Sequence, residues 1–134
     1  MKLSRLRGRK INDQVLRKGN LWKGKHLSVR WMRGAPRHPA INPAKPGVYA
    51  GTLISAKTEP SSVKRNRMRR RCRESLRVAL KNIAEIPASQ LLILPRSSSL
   101  TCAFPEIEDD IRKFLSVLIA WQSPRNPGSS SNSR

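Results

Sequence analysis

The segment Val63–Glu74, VKRNRMRRRCRE, most constrains what this chain can fold into. No globular core or ordinary solvated surface needs arginine at that density. Like charges three and four residues apart repel along a helix. The segment therefore opposes its own folding unless its apolar residues pack and a polyanion meets its charges. Asn66 inside the run and Glu74 at its end make it more than random basicity.

The pattern predicts a helix from about Val63 to about Ile83, capped by Ser61 or Ser62. Met68, Cys72, Leu76, Ala79, Leu80 and Ile83 recur at three- and four-residue steps and make one apolar stripe. At about 100° per residue, Asn66, Arg70, Arg73 and Arg77 fall on another face. Arg67 and Arg71 extend that polar side, and Glu74 is placed to offset Arg70, Arg71 and Arg77 in part.

The whole chain repeats the imbalance: 28 Lys+Arg stand against 8 Asp+Glu, a formal charge of +20. Such a balance speaks of partners rather than fold. Nucleic acid ranks first, then an anionic membrane, then an acidic protein. With 134 residues there is room for one small domain. No segment approaches the roughly 18 consecutive apolar residues of a membrane span, and no apolar stretch follows the basic N-terminus as in a secretory signal. Cys72 and Cys102 lack metal-ligand spacing and read as thiols in a reducing cytoplasm. His26 and His38 form no visible constellation.

Along the chain, residues 1–10 read as a flexible basic N-terminus, 11–121 as a single RNA-binding domain, and 122–134 as a disordered tail rich in Pro, Asn, Gly and Ser. A short helix is expected over Ile11–Lys18, stopped by Gly19. Strands are expected at Leu21–Lys23 and at Leu27–Met32, where Leu27, Val29 and Trp31 alternate with polar or flexible residues. Residues 34–47 hold four prolines and read as a long loop. A strand over Val48–Ala56 is expected to pair antiparallel with Leu27–Met32. Gln90–Leu94 is a continuous apolar run suited to a central strand. A last helix opens at Phe104-Pro105-Glu106, with Ile107, Ile111, Phe114, Leu115 and Leu118 on its apolar face. Its acidic start, Glu106, Glu108, Asp109 and Asp110, suits the positive end of the helix dipole better than a magnesium site. The order predicts an α+β sandwich, one sheet covered by helices.

Arg65-Asn66-Arg67, Arg69-Arg70 and Arg73-Glu74 resemble the signature helix of the bacterial ribonuclease P protein component. Val15–Gly19 is similar to that family's first helix and its glycine exit. Leu91–Arg96 resembles its apolar strand, and Phe104–Ile107 the start of its closing helix. The resemblance covers roughly residues 5–118. It implies an αβββαβα two-layer sandwich with a central four-stranded sheet and a left-handed crossover at the basic helix. It also implies a role: a catalytic RNA subunit with bound magnesium hydrolyses precursor tRNA, while the protein binds that RNA and the 5′ leader. The protein would act as a monomer within the ribonucleoprotein, in the cytoplasm, and carry no catalytic residue of its own.

The chain departs from the family pattern where the leader would lie. Asn12 and Leu16 stand at positions often aromatic, Arg30 at one often tyrosine, and the usual lysine run is reduced to Ala56-Lys57-Thr58 before an atypical Glu59-Pro60-Ser61. The expected RNA-binding residues are Lys64, Arg65, Asn66, Arg67, Arg69, Arg70, Arg73 and Arg77. Arginine forks bind phosphate oxygens in pairs, and Asn66 suits a sugar hydroxyl or a base edge. For the leader, Leu16, Trp22, Arg30 and Lys57 are the candidates, on a sheet face between the first helix and the basic helix. A ribosomal or ribosome-assembly protein would explain the charge without the Asn66 spacing. A DNA-binding module fits less well, since a phosphate-directed arginine face specifies sequence poorly.

Overall fold

The computed structural model describes residues 3–37, 41, 46–83 and 86–121. In chain order the elements are β1 (Leu3–Arg5), α1 (Arg9–Lys18), β2 (Asn20–Lys23), β3 (Leu27–Arg33), β4 (Val48–Thr52), α2 (Ser62–Leu80), β5 (Ser89–Pro95), a 3-10 turn (Ser97–Leu100) and α3 (Phe104–Ala120). The strands form one sheet in the order β1-β4-β5-β3-β2. The α+β expectation holds, with a fifth strand added to the expected four.

The apolar run of β5 takes the centre because both its faces are covered. Leu91 and Ile93 enter one core and Leu92 the other. β5 runs antiparallel to β3 and parallel to β4. The expected antiparallel pairing of Leu27–Met32 with Val48–Ala56 is therefore overturned, since β5 lies between them. A parallel pair needs a long crossover, and α2 supplies it between β4 and β5. The proline-rich loop thus links two strands that are not neighbours. Its residues 38–40 and 42–45, His38 included, lie outside the described residues, as does the tail from 122. Its ends are tied down: Gly34 donates to the Ala88 carbonyl at 2.7 Å, and Ser89 donates to the Gly47 carbonyl at 3.0 Å.

Within the segment expected to be flexible, residues 3–5 form a strand and residues 9–10 begin α1. β1 pairs parallel with β4, Leu3 opposite Val48 and Arg5 opposite Ala50, and so covers what would be an open sheet edge. Leu6 is 5% exposed. Gly8, at φ 99°, makes the turn into α1, which starts at Arg9 rather than Ile11. The Asn12 side-chain amide donates to the Gly8 carbonyl at 2.8 Å and the Leu6 carbonyl at 3.3 Å, holding that turn.

Helices cover both faces of the sheet. On one, α2 and α3 pack over Leu27, Val29, Trp31, Leu91 and Ile93 through Cys72, Leu76, Leu80, Ile107, Ile111 and Phe114. On the other, α1 packs Val15, with Ile11 and Leu16, over Leu92, Met32, Tyr49 and Leu94. The expected two-layer sandwich gains a partial third layer, because β5 is apolar on both sides. Trp31 is core, as its alternation predicts, and Trp121 meets it edge-on at 5.3 Å.

Local chemistry explains the remaining boundaries. Ser61 caps α2 by accepting from the Lys64 N–H at 3.3 Å. The helix ends at Leu80, short of Ile83, in a tightened turn in which Lys81 donates to the Val78 carbonyl. β4 stops at Thr52 instead of Ala56, and Thr58 N–H donates to the Ser55 hydroxyl in the turn that follows. The histidine without a visible partner proves to be a clamp. His26 Nε2 lies 2.7 Å from Glu106 Oε1, its Nδ1 lies 2.9 Å from the Ser98 hydroxyl, and its backbone N–H donates to Asp110. The β2–β3 hairpin is thereby pinned to α3.

Candidate nucleic-acid interface

The stripe of α2 predicted to pack does so: Met68, Cys72 and Leu76 are fully buried. Burial pushes the Cys72 thiol up to about 12, which leaves it inert. Neither Cys72 nor Cys102 is in a disulfide. The opposite side of α2 carries the arginines, and the structure divides them by task.

Three are engaged with backbone carbonyls or a carboxylate of the protein. Arg71 donates through Nε to the Ser99 carbonyl at 2.9 Å and through its terminal nitrogen to the Cys102 carbonyl. It is a strut between α2 and the 3-10 turn, not an extension of the free polar side. Arg65 donates to the carbonyls of Glu59 at 2.7 Å and Pro60 at 2.9 Å, bracing the entry to the helix. Arg77 is paired with Glu74, Nε to Oε1 at 3.0 Å. That bond holds the Glu74 carboxyl below its usual range and raises Arg77. Glu74 thus serves Arg77 and leaves Arg70 and Arg71 uncompensated.

The rest point outward. Asn66 and Arg70 are exposed, and Arg69 donates to the Asn66 amide oxygen at 2.7 Å; among the described residues no acceptor meets the Asn66 NH2. Among the described residues, no acceptor meets the guanidinium of Arg67, Arg70 or Arg73. Arg69, Arg70 and Arg73 face Arg5 and Arg7 of the N-terminal segment across a cleft of about 380 Å³, walled by Leu6 and residues 50–52. Burial lowers the Arg73 pKa, and the charge of Arg5 lowers it further. Among the described residues, five guanidinium groups and no carboxylate line this space, an arrangement that an oxyanion completes. Gly51 lies under it: a Cβ there would come within 3.1 Å of Asn12 Oδ1 and 3.5 Å of Leu6. Arg5 and Arg7 escape sequence reasoning because three residues of strand leave no periodicity to read. The apolar pair Leu3 and Leu6 bracketing Arg5 was the available signal.

The leader candidates do not gather. Leu16 and Arg30 belong to the α1 side of the sheet, where Arg30 donates to the Gly19 carbonyl at 3.2 Å. Trp22 pairs in register with Val29 and turns to the other face, its ring 5.8 Å from Phe114. Trp22 is therefore a packing residue of the main core, not a platform beside Leu16 and Arg30. Lys57 is exposed in the turn after β4. Because α1 and α2 cover opposite faces, no sheet face lies between them. On the α1 side of the sheet, half-buried Tyr49 and Met32 pack beside Leu16, and Tyr49 is the aromatic ring that sequence reasoning passed over.

The acidic start of α3 is occupied in the same way. Glu106 bonds His26, Asp110 accepts from the backbone of Lys25 and His26, and Asp109 pairs with Lys113 at 3.0 Å. Among the described residues no group of three His, Cys, Asp or Glu side chains could hold a metal ion. The protein residues described do not fit magnesium. No described helix is long and apolar enough to cross a membrane.

A family model described as Ribonuclease P matches residues 1–118. The chain belongs to the ribonuclease P family. A curated ribonuclease P protein component from Synechococcus sp. (strain JA-2-3B'a(2-13)) is 37% identical over 65 residues, 48% of this chain and 47% of that protein. The match thus spans about half the length of the curated relative. Among solved structures, the RNase P protein of Staphylococcus aureus superposes with a TM-score of 0.65 at 18% identity, over 88% of this chain and 99% of that one. The RNase P protein from Thermotoga maritima gives 0.65 at 16% identity, over 90% and 99%. At such identities the likeness is one of fold. The ribonuclease P fold is shared while most side chains differ, so the roles of individual residues rest on the geometry above.

Proposed function

We propose that this chain is the protein subunit of a ribonuclease P ribonucleoprotein that removes the 5′ leader from precursor tRNA. It binds the catalytic RNA subunit through α2, with Arg70, Arg73 and Arg69 joined by Arg5 and Arg7. Lys64, Arg67 and the NH2 of Asn66 extend the same surface. The observation that carries this reading is the five-arginine cleft, with no carboxylate among its described lining residues, in a chain of the ribonuclease P family. Phosphates of a folded RNA supply the missing negative charge, and the guanidinium forks fix their positions.

The protein's part is binding and orientation. Arg65, Arg71 and the Ser61 cap hold α2 rigid, so its outward arginines meet the RNA already placed. The leader contact lies on the α1 side of the sheet, with Arg30, Leu16 and Tyr49, and Lys57 reaches phosphate from the turn after β4. Magnesium sits with the RNA subunit, which performs phosphodiester hydrolysis. The protein works as a monomer within a cytoplasmic particle.

Reconstitution tests this directly. The purified chain is mixed with the cognate RNA subunit and a precursor tRNA at low magnesium, and 5′ leader removal is followed. Added protein accelerates cleavage over RNA alone. Tight RNA binding without any stimulation would instead favour a ribosomal or assembly role.

A further inference from the structure

A second cleft lies on the other flank of α2, against the 3-10 turn and the start of α3. Its volume is about 540 Å³, and it is lined by Arg67, Arg70, Arg71, Glu74, Leu100 and Phe104. That volume falls within the roughly 300–1,000 Å³ of small-molecule sites. Its chemistry differs from that of the five-arginine cleft. Phe104 and Leu100, both partly exposed, give it apolar walls, and Glu74 places a carboxylate among the cations. A phosphate gains nothing from an aromatic ring and is repelled by a carboxylate. A nucleobase can use both features, since it has two apolar faces and a polar edge.

The polar groups are already arranged for such an edge. Arg71 is fixed by the carbonyls of Ser99 and Cys102, so its planar guanidinium is in position before a ligand arrives. Arg planes stack on bases as aromatic rings do. Glu74 is held by Arg77, yet each carboxylate oxygen keeps a lone pair for a further N–H donor. Arg67 and Arg70 bring unpaired donors to the same space. Guanine matches this set best: its N1–H and N2–H₂ donate to a carboxylate, and its O6 and N7 accept from guanidinium. Uracil offers a carboxylate one N–H.

We infer that this cleft takes an unstacked base, guanine by preference, from the RNA that α2 binds. The inference rests on the RNA-binding reading above and extends it from phosphate contacts to base recognition. Arg70 lines both clefts, so a strand crossing α2 at Arg70 reaches a phosphate site on one side and a base site on the other.

The test uses the full chain, labelled with ¹⁵N, and titrates it with GMP, UMP and ribose 5-phosphate. GMP is expected to shift the Leu100 and Phe104 amide resonances, UMP to do so at several-fold higher concentration, and ribose 5-phosphate to leave them in place. Equal shifts from ribose 5-phosphate and GMP would overturn the inference, as would no shift from GMP. In the reconstituted particle, Phe104→Leu keeps an apolar side chain but removes the ring, and is expected to weaken RNA-subunit binding roughly tenfold. Unchanged affinity in that variant, with a native melting curve, overturns the inference too. The two readings fail separately. If GMP shifts both amides but the protein does not stimulate leader removal, the base cleft stands and the ribonuclease P role falls. If leader removal is stimulated and GMP shifts neither, the cleft alone falls.

Discussion

Arg70 and Arg71 are adjacent, yet one faces solvent and the other is bonded to two carbonyls from a turn about 30 residues later. Nothing in the local pattern separates them, because both fall on the polar side of the helical projection. What distinguishes them is where the 3-10 turn places its carbonyls, and that is set by the tertiary fold. Asn66 was more legible: its exposed place on α2 follows from the 3.6-residue repeat, although Arg69 takes its oxygen. At the same scale, Glu106 ties acid stability to a single contact. Its hydrogen bond to His26 holds its pKa below the ordinary 4.5, and the charge of Lys25 adds to this. A depressed carboxyl stabilises the fold above its unfolded pKa, and that contribution is lost as pH falls through the folded value. Wild-type protein is therefore expected to lose more stability between roughly pH 5 and pH 3 than Glu106→Gln does. Urea denaturation at the two pH values measures the difference, and parallel losses would show that the clamp carries no such linkage.

Among the elements, α2 was the most readable and the sheet the least. A stripe of Met68, Cys72 and Leu76 with Ser61 ahead of it specifies a helix, its buried face and its start. Ser61→Ala is expected to cost about 1 kcal/mol, since one orphan N–H at the helix start loses its acceptor. Chemical denaturation of the variant checks this, and a loss under a few tenths of that figure would mean that Arg65, bracing the same turn, suffices. Strand patterns show which face is buried but not which strand lies beside which. Leu27–Met32 reads correctly as a strand and Val48–Ala56 does so as far as Thr52, and their expected pairing was wrong because β5, distant in sequence, is apolar on both faces and lies between them. β1 was hidden for a different reason. Three residues carry too little hydrophobicity to distinguish an edge strand from a basic tail, and its stability comes from pairing with β4 and from burial of Leu6.

Over the whole molecule the charge of +20 is organised rather than spread. Carboxylates at the start of α3 are engaged with His26, the Lys25–His26 backbone and Lys113, while the described residues lining the β1–α2 cleft include none. That segregation predicts a steep salt dependence. If about six phosphates are neutralised, log K for RNA binding should fall against log salt with a slope on the order of −5. Replacing Arg5, Arg70 and Arg73 together by alanine should make the slope shallower by about 2 to 3 and leave far-UV circular dichroism native-like. A slope unchanged in that variant would remove the cleft from the RNA contact, and a lost helical signal would make these arginines structural.

The central position of β5 also bears on how the chain is made. β3 and β4 have left the ribosome before their shared partner has been translated, and the arginine-rich helix emerges in the interval. At about 5–20 residues per second the wait for β5 lasts on the order of several seconds. During that time the nascent chain presents two sheet edges and most of its Lys and Arg residues with no closed core behind them. Its first encounter with RNA can thus precede its first complete fold.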